Sequence, residues 1–130
     1  MPQRRSKFNA TKVTVDGIIF DSKLEGECFC HFRQWCHDLK LTLELQPKFE
    51  LIPVQKPFKG KTLRAHTYSA DFRVTGPDLD LVIDVKSVST AKNRSFIINE
   101  KLMLNIHGIL IERIHSPDEA DQLMQKLLHA

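Results

Sequence analysis

Leu79-Asp80-Leu81-Val82-Ile83-Asp84-Val85-Lys86 is a strand-forming run that closes on two charges separated by one apolar residue. Side chains at i and i+2 of a strand project from the same face. A strand over 79–86 therefore sets the Asp84 carboxylate beside the Lys86 ammonium and turns Val85 the other way. Charges drawn into a sheet carry a desolvation cost unless they are paired or hold something. The plain reading is an ion pair at a solvated strand end, worth under about 1 kcal/mol. The other is half of a binding site.

Working outward, Gly76-Pro77-Asp78 turns back into a preceding strand, Arg64 to Val74, so the two form a hairpin. Alternation gives Tyr68, Ala70, Phe72 and Val74 one face and Ser69, Asp71 and Arg73 the other. The hairpin makes Asp71 a neighbour of Asp84, unless it is a surface aspartate balanced by Arg73. Upstream, Leu43 to Leu51 is apolar at odd positions and polar at even ones, which predicts one half-buried strand, and Pro47 favours a sheet edge. The loop from Pro53 to Thr62 carries Lys56, Lys59 and Lys61.

Nearer the amino terminus, Val13 to Phe20 predicts a small hairpin, because Asp16-Gly17 supplies the positive-φ residues of a tight turn. Asp21-Ser22 then opens a helix to about Leu39. At 100° per residue, Cys28, Phe29, Phe32, Trp35, Cys36 and Leu39 share one apolar stripe, and Glu25 lies in its middle. A carboxylate centred on a buried face is unusual. Ser22-Lys23-Leu24-Glu25 also fits a capping box, worth about 1 kcal/mol without any chemistry.

On the other side of the opening strand, residues 87–95 predict a polar, basic rim loop and residues 96–107 a helix stopped by Gly108. Ile109 to Ile114 is read as a short apolar strand in a central, parallel position. Ser116-Pro117-Asp118-Glu119 opens a last helix whose face is Ala120, Leu123, Met124, Leu127 and Leu128. The order is hairpin, helix, three strands, helix, strand, helix. It predicts a three-layer α/β domain over 13–130, a mixed central sheet flanked by helices, behind a basic arm over 1–12.

The 130 residues suffice for one core without disulfide staples. Cys28, Cys30 and Cys36 are odd in number and clustered, which argues for free thiols; Cys28 and Cys30 point about 200° apart on a helix, against a zinc site. No long apolar run or signal peptide is visible, so a soluble, cytoplasmic protein with no membrane contact is expected. The net charge of +3 is too small to identify a nucleic-acid partner, but the cations cluster at 4–12, 56–66 and 92–94.

Tyr68-Ser69-Ala70-Asp71-Phe72 followed by Leu81-Val82-Ile83-Asp84-Val85-Lys86 resembles the signature of the PD-(D/E)XK nuclease superfamily. Ala70 replaces the proline of that name, and Asp84 stands where glutamate is more usual. Ser22-Lys23-Leu24-Glu25 resembles the helix-borne glutamate of many members, and Leu45 to Phe49 a segment found between their motifs. The layout is similar to a compact phage-encoded subgroup, with looser likeness to phage Holliday-junction resolvases and transposon-end nucleases.

The resemblance implies a restriction-endonuclease-like fold and a Mg²⁺-dependent DNA endonuclease in a bacterial or phage-infected cell, with Mn²⁺ able to substitute. It implies Asp71 and Asp84 as metal ligands, the Val85 carbonyl as a third, Glu25 as a direct or water-mediated ligand, and Lys86 beside the attacking water. Gln46, Lys59, Lys61, Arg64, Lys92, Arg94 and Lys101 are the candidate DNA contacts. A homodimer is expected of a junction resolvase and a monomer of a nickase; the sequence leaves both open. The alternatives are a non-catalytic nucleic-acid-binding module, suggested by the clustered cations, and a structural domain.

Overall fold

A computed structural model describes residues 11–87 and 93–129; most of the expected basic arm and Lys92 lie outside them. The hairpin β1 (Val13–Val15) and β2 (Ile18–Phe20) forms around Asp16 and Gly17, whose φ angles are 49° and 81°. It leads into helix α1 (Lys23–Leu39), which packs closely enough that a Cβ on Gly26 would stand 2.9 Å from Val13 Cγ2. Cys28, Phe29, Phe32 and Cys36 are buried beneath that helix, with Glu25 on the same face. Trp35 is half-buried and Leu39 exposed. The three cysteines are free thiols. Burial pushes the Cys28 thiol up to about 12, and the charge of Glu27 adds to it.

The main sheet has the order β3 (Thr42–Leu45), β6 (Phe72–Gly76), β7 (Leu79–Val85), β8 (Glu112–Ile114). β3–β6 and β6–β7 are antiparallel and β7–β8 is parallel. A separate antiparallel pair joins β4 (Lys48–Ile52) to β5 (His66–Ser69). Helix α2 (Arg94–His107) carries the chain from β7 to its parallel neighbour β8, and α3 (Pro117–Leu128) follows. Parallel strands require such a crossover.

Neighbouring residues of β7 face opposite layers. Leu81 and Ile83 belong to a core with α1 and α3, whereas Val82 belongs to a core with α2 and the β4–β5 pair. The molecule is thus a mixed α/β structure with helices against both faces of the sheet.

Two expected strands are each broken. Leu43–Leu51 divides at Gln46, whose φ is 49°, and Pro47, which has no N–H to continue the ladder. Arg64–Val74 divides at Ala70 and Asp71. The breaks oppose each other, because Gln46 N–H donates to Asp71 O at 3.0 Å and Ala70 N–H donates to Pro47 O at 3.0 Å. Across them the odd–even pattern continues while the apolar side chains change layer. Leu43, Leu45, Phe72 and Val74 pack with α1, whereas Phe49, Leu51, Tyr68 and Ala70 pack with α2. The single apolar face expected along each strand is therefore two half-faces.

The last strand also differs from expectation. It is parallel, but it begins at Glu112 and lies at the edge of the sheet, not the centre. Ile111 is buried against α2, while Glu112 and Arg113 supply the charge that suits an edge. Helix α2 starts two residues earlier than periodicity suggests, because Asn93 Oδ1 accepts the N–H groups of Ser95 and Phe96.

Candidate functional site

The carboxyl end of β7 delivers Asp84 toward the α2 layer, where it is 3% exposed. Its Oδ2 accepts the Tyr68 hydroxyl at 2.5 Å, and Lys86 Nζ lies 3.3 Å from its Oδ1. The expected neighbouring of Asp84 and Lys86 is present, but as a largely enclosed pair and not a solvated strand end. The Lys86 ammonium also stands 4.5 Å from the centre of the Phe96 ring, an arrangement in which ring and cation attract. Lys86 N–H donates to Ile114 O at 2.9 Å, and Lys86 O is 2.6 Å from His115 Nδ1, so its backbone is held on both sides.

Asp71 sits in the break between β5 and β6. Its N–H donates to Ile83 O at 3.1 Å, and its Oδ2 accepts Val85 N–H at 2.7 Å. Val85 thus enters the site through its amide. Burial raises the Asp71 carboxyl to about 10; hydrogen bonding to Glu25, then the charge and hydrogen bonding of Asp84, add to it. Arg73 does not balance Asp71. Its guanidinium grips Asp80, with 2.9 Å from Nε to Oδ1 and 2.8 Å from Nη2 to Oδ2.

Glu25 is 7% exposed. Ser22 Oγ accepts Glu25 N–H at 3.1 Å, and Glu25 Oε2 accepts Asp21 N–H at 3.1 Å. The capping role is therefore present, displaced by one residue from the usual reciprocal box. It leaves the carboxyl group near Asp71, so cap and site coexist in one side chain.

Two cavities flank these groups. One of about 160 Å³ is lined by Glu25, Gln46 and Asp71 together with Phe20 and Leu45. The other, about 360 Å³, is lined by Tyr68, Asp84, Lys86, Asn93, Phe96 and Asn99, among others. Gln46 thus joins the acids, as expected. Lys59, Lys61 and Arg64 are exposed on the β4–β5 connection, and Arg94 and Lys101 are exposed on α2; none of these five lines either cavity.

Sequence reasoning missed Tyr68, whose regular alternation marked it only as a core residue. Burial and then the charge of Asp84 push its phenol upward, so it remains a donor. It also missed Phe96 as the platform beneath Lys86.

As placed, no group of three or more His, Cys, Asp or Glu among the described residues has the arrangement of a metal site. The donor set is nonetheless that of a hard cation. Glu25, Asp71 and Asp84 supply carboxylate oxygens, and their mutual repulsion is relieved by a proton on Asp71. In comparison with known proteins, residues 5–109 match the family described as "Protein of unknown function (DUF1064)". No curated protein and no solved structure matches the chain.

Proposed function

The chain belongs to the DUF1064 family, proteins of unknown function, and on the geometry of its site we propose that it is a metal-dependent DNA endonuclease that hydrolyses phosphodiester bonds. The corresponding fold is a restriction-endonuclease-like arrangement with a PD-(D/E)XK-type centre. One observation carries this reading: the half-buried Asp71 carboxyl lies against the buried carboxyls of Glu25 and Asp84, with Lys86 paired to the latter. A strongly perturbed acid beside a cleft is a functional-site candidate with a physical rationale.

Glu25, Asp71 and Asp84 would hold Mg²⁺, or Mn²⁺ in its place. When bound, the cation supplies Lewis acidity, lowering the pKa of a water and drawing charge from a phosphate oxygen. The remaining work falls to the chain. Lys86, oriented by Asp84 and Phe96, donates to a phosphate oxygen or the incoming water. Tyr68 fixes the Asp84 carboxylate, and Asn93 and Asn99 line the cavity across which the sugar-phosphate chain would lie. Lys59, Lys61, Arg64, Lys92, Arg94 and Lys101 would contact phosphates further along.

The test is a cleavage panel of linear duplex, flap, three-way and four-way junctions and single strands, with Mg²⁺ or EDTA. Mg²⁺-dependent scission that disappears in Asp71→Ala and Lys86→Ala is expected; undiminished scission in either variant overturns the proposal. Solution mass measurement tells whether a junction substrate is served by two copies.

A non-catalytic DNA-binding role is favoured by a different observation. The acids already satisfy one another through a proton, without a preformed three-ligand cluster among the described residues. Tight DNA binding without cleavage in Mg²⁺ or Mn²⁺ on every substrate would select that role.

A further inference from the structure

The connection between β4 and β5 is a projecting loop built around an exposed aromatic ring. Gln55 and Leu63 close it with reciprocal backbone bonds, Gln55 N–H to Leu63 O at 3.0 Å and Leu63 N–H to Gln55 O at 2.8 Å. At its apex, Lys59 and Gly60 have φ angles of 87° and 76°. Two successive left-handed residues turn the chain sharply. Phe58, immediately before them, is 94% exposed, the most exposed large apolar side chain among the described residues. An isolated exposed leucine needs no explanation, but an almost wholly solvated phenylalanine on a loop apex does.

The charge around that ring is one-signed. Lys56, Lys59, Lys61 and Arg64 are all exposed, and no acidic residue occurs between Glu50 and Asp71. None of the four makes a salt bridge among the described residues. A second copy of the same loop would meet like charge, so self-association does not suit it. An anionic partner with a flat apolar face does. Nucleic acid combines both properties, phosphates for the cations and unstacked bases for an aromatic ring.

The loop is also fastened beside the larger cavity. His66, the first residue of β5, has its Nε2 2.8 Å from Oδ1 of Asn99, which lines the cavity that contains Lys86. From His66, by way of Leu63 and across its bridge to Gln55, Phe58 is at most about 27 Å away, roughly eight nucleotide steps.

We propose that this loop is a DNA-branch finger, in which Phe58 stacks on an unpaired base while Lys56, Lys59, Lys61 and Arg64 hold the adjoining phosphates. The assignment deepens the nuclease reading and rests on DNA as the substrate. It names that substrate as DNA with bases freed from the duplex stack, at a fork, flap or junction. Fully paired duplex offers Phe58 no accessible base face.

The test measures binding of the full chain in EDTA to a fluorescent forked DNA and to a fully paired duplex of equal length. Phe58→Ala should weaken fork binding about 5- to 100-fold and duplex binding less than about twofold. Phe58→Trp should retain fork binding and show tryptophan quenching on the fork, measured against the signal of Trp35 alone in the parent. Lys59→Ala/Lys61→Ala should weaken both substrates alike and flatten the salt dependence. Equal fork binding by Phe58→Ala and parent overturns the finger. So does a Phe58→Ala defect confined to anionic vesicles or to self-association. Because EDTA separates binding from hydrolysis, the two readings fail differently. Fork discrimination through Phe58 with no cleavage in Mg²⁺ or Mn²⁺ sinks only the nuclease reading, and cleavage indifferent to Phe58 sinks only the finger.

Discussion

The backbone N–H of Val85 donates to Asp71 Oδ2 at 2.7 Å, fastening the aspartate in the break before β6 to the residue between Asp84 and Lys86 at the end of β7. That bond fixes the spacing of the two acids by covalent geometry on β7 and one short contact across the hairpin. It also leaves the Asp71 carboxyl group little freedom to turn away from Glu25 and Asp84.

Asp71 makes stability depend on pH. Its ordinary carboxyl value of 3.8 is raised to about 10 in the folded chain, first by burial. The unfolded chain therefore releases this proton long before the folded one, and the associated stability is full below about pH 4 and lost as pH rises toward 10. In EDTA, thermal melts between pH 6 and 9 should show a falling Tm that Asp71→Asn flattens. Millimolar Mg²⁺ should raise the parent's Tm most at the alkaline end, through binding to the folded state.

Tyr68→Phe removes one oxygen and leaves the ring in place. Asp84 loses its 2.5 Å partner while remaining buried. A loss of about 1.5–3 kcal/mol in urea unfolding is expected, since hydrogen bonds to charged groups lie in that range. Cleavage should fall as well, without a change in DNA affinity.

Glu25 can be divided into its two tasks. Glu25→Gln keeps an oxygen to accept Asp21 N–H but removes the negative charge. Because the cap bond is kept, urea unfolding should shift by less than the about 1 kcal/mol of a lost cap, while cleavage falls by about 10- to 100-fold. Ser22→Ala removes the acceptor for Glu25 N–H and should cost about 1 kcal/mol while cleavage persists. The opposite pattern would assign Glu25 to capping alone.

Lys86→Met preserves most of the apolar stem and deletes the ammonium that faces Asp84 and Phe96. A loss of roughly 10²–10³ in cleavage rate is expected, the scale of one removed charge-stabilising donor. DNA affinity, measured in EDTA, should change far less. Equal losses in both would make Lys86 a phosphate anchor only.

The sequence made the first helix and its anomaly legible, because a 3.6-residue stripe with one carboxylate inside it admits few readings. The Asp16-Gly17 hairpin and the Ser116 cap were legible from turn and cap chemistry. The split of the two middle strands was not. Alternation continues unbroken through Gln46 and Asp71, and only the backbone, left-handed at Gln46, moves the odd residues from one layer to the other. Parity along a sequence records which side a residue takes relative to its neighbours, and a twist in the chain can exchange those sides without altering parity. Tyr68 was obscured for the same reason: its ring obeys the core pattern, and its hydroxyl reaches the site only after the exchange. The expected nearness of Glu25, Asp71 and Asp84 is present in the geometry, with Gln46 beside the first two, while Lys59, Lys61, Arg64, Arg94 and Lys101 stay apart from both cavities.

The exchange of layers at Gln46–Pro47 and Ala70–Asp71 gives the site two doorways. Glu25, Gln46 and Asp71 look out beside the amino-terminal hairpin, and Asp84 and Lys86 look out beneath α2. The acids form the partition between these openings and not the floor of a blind pocket. On the proposed function, a polymer lying over the cavity beside Lys86 would leave the cavity beside Glu25 uncovered.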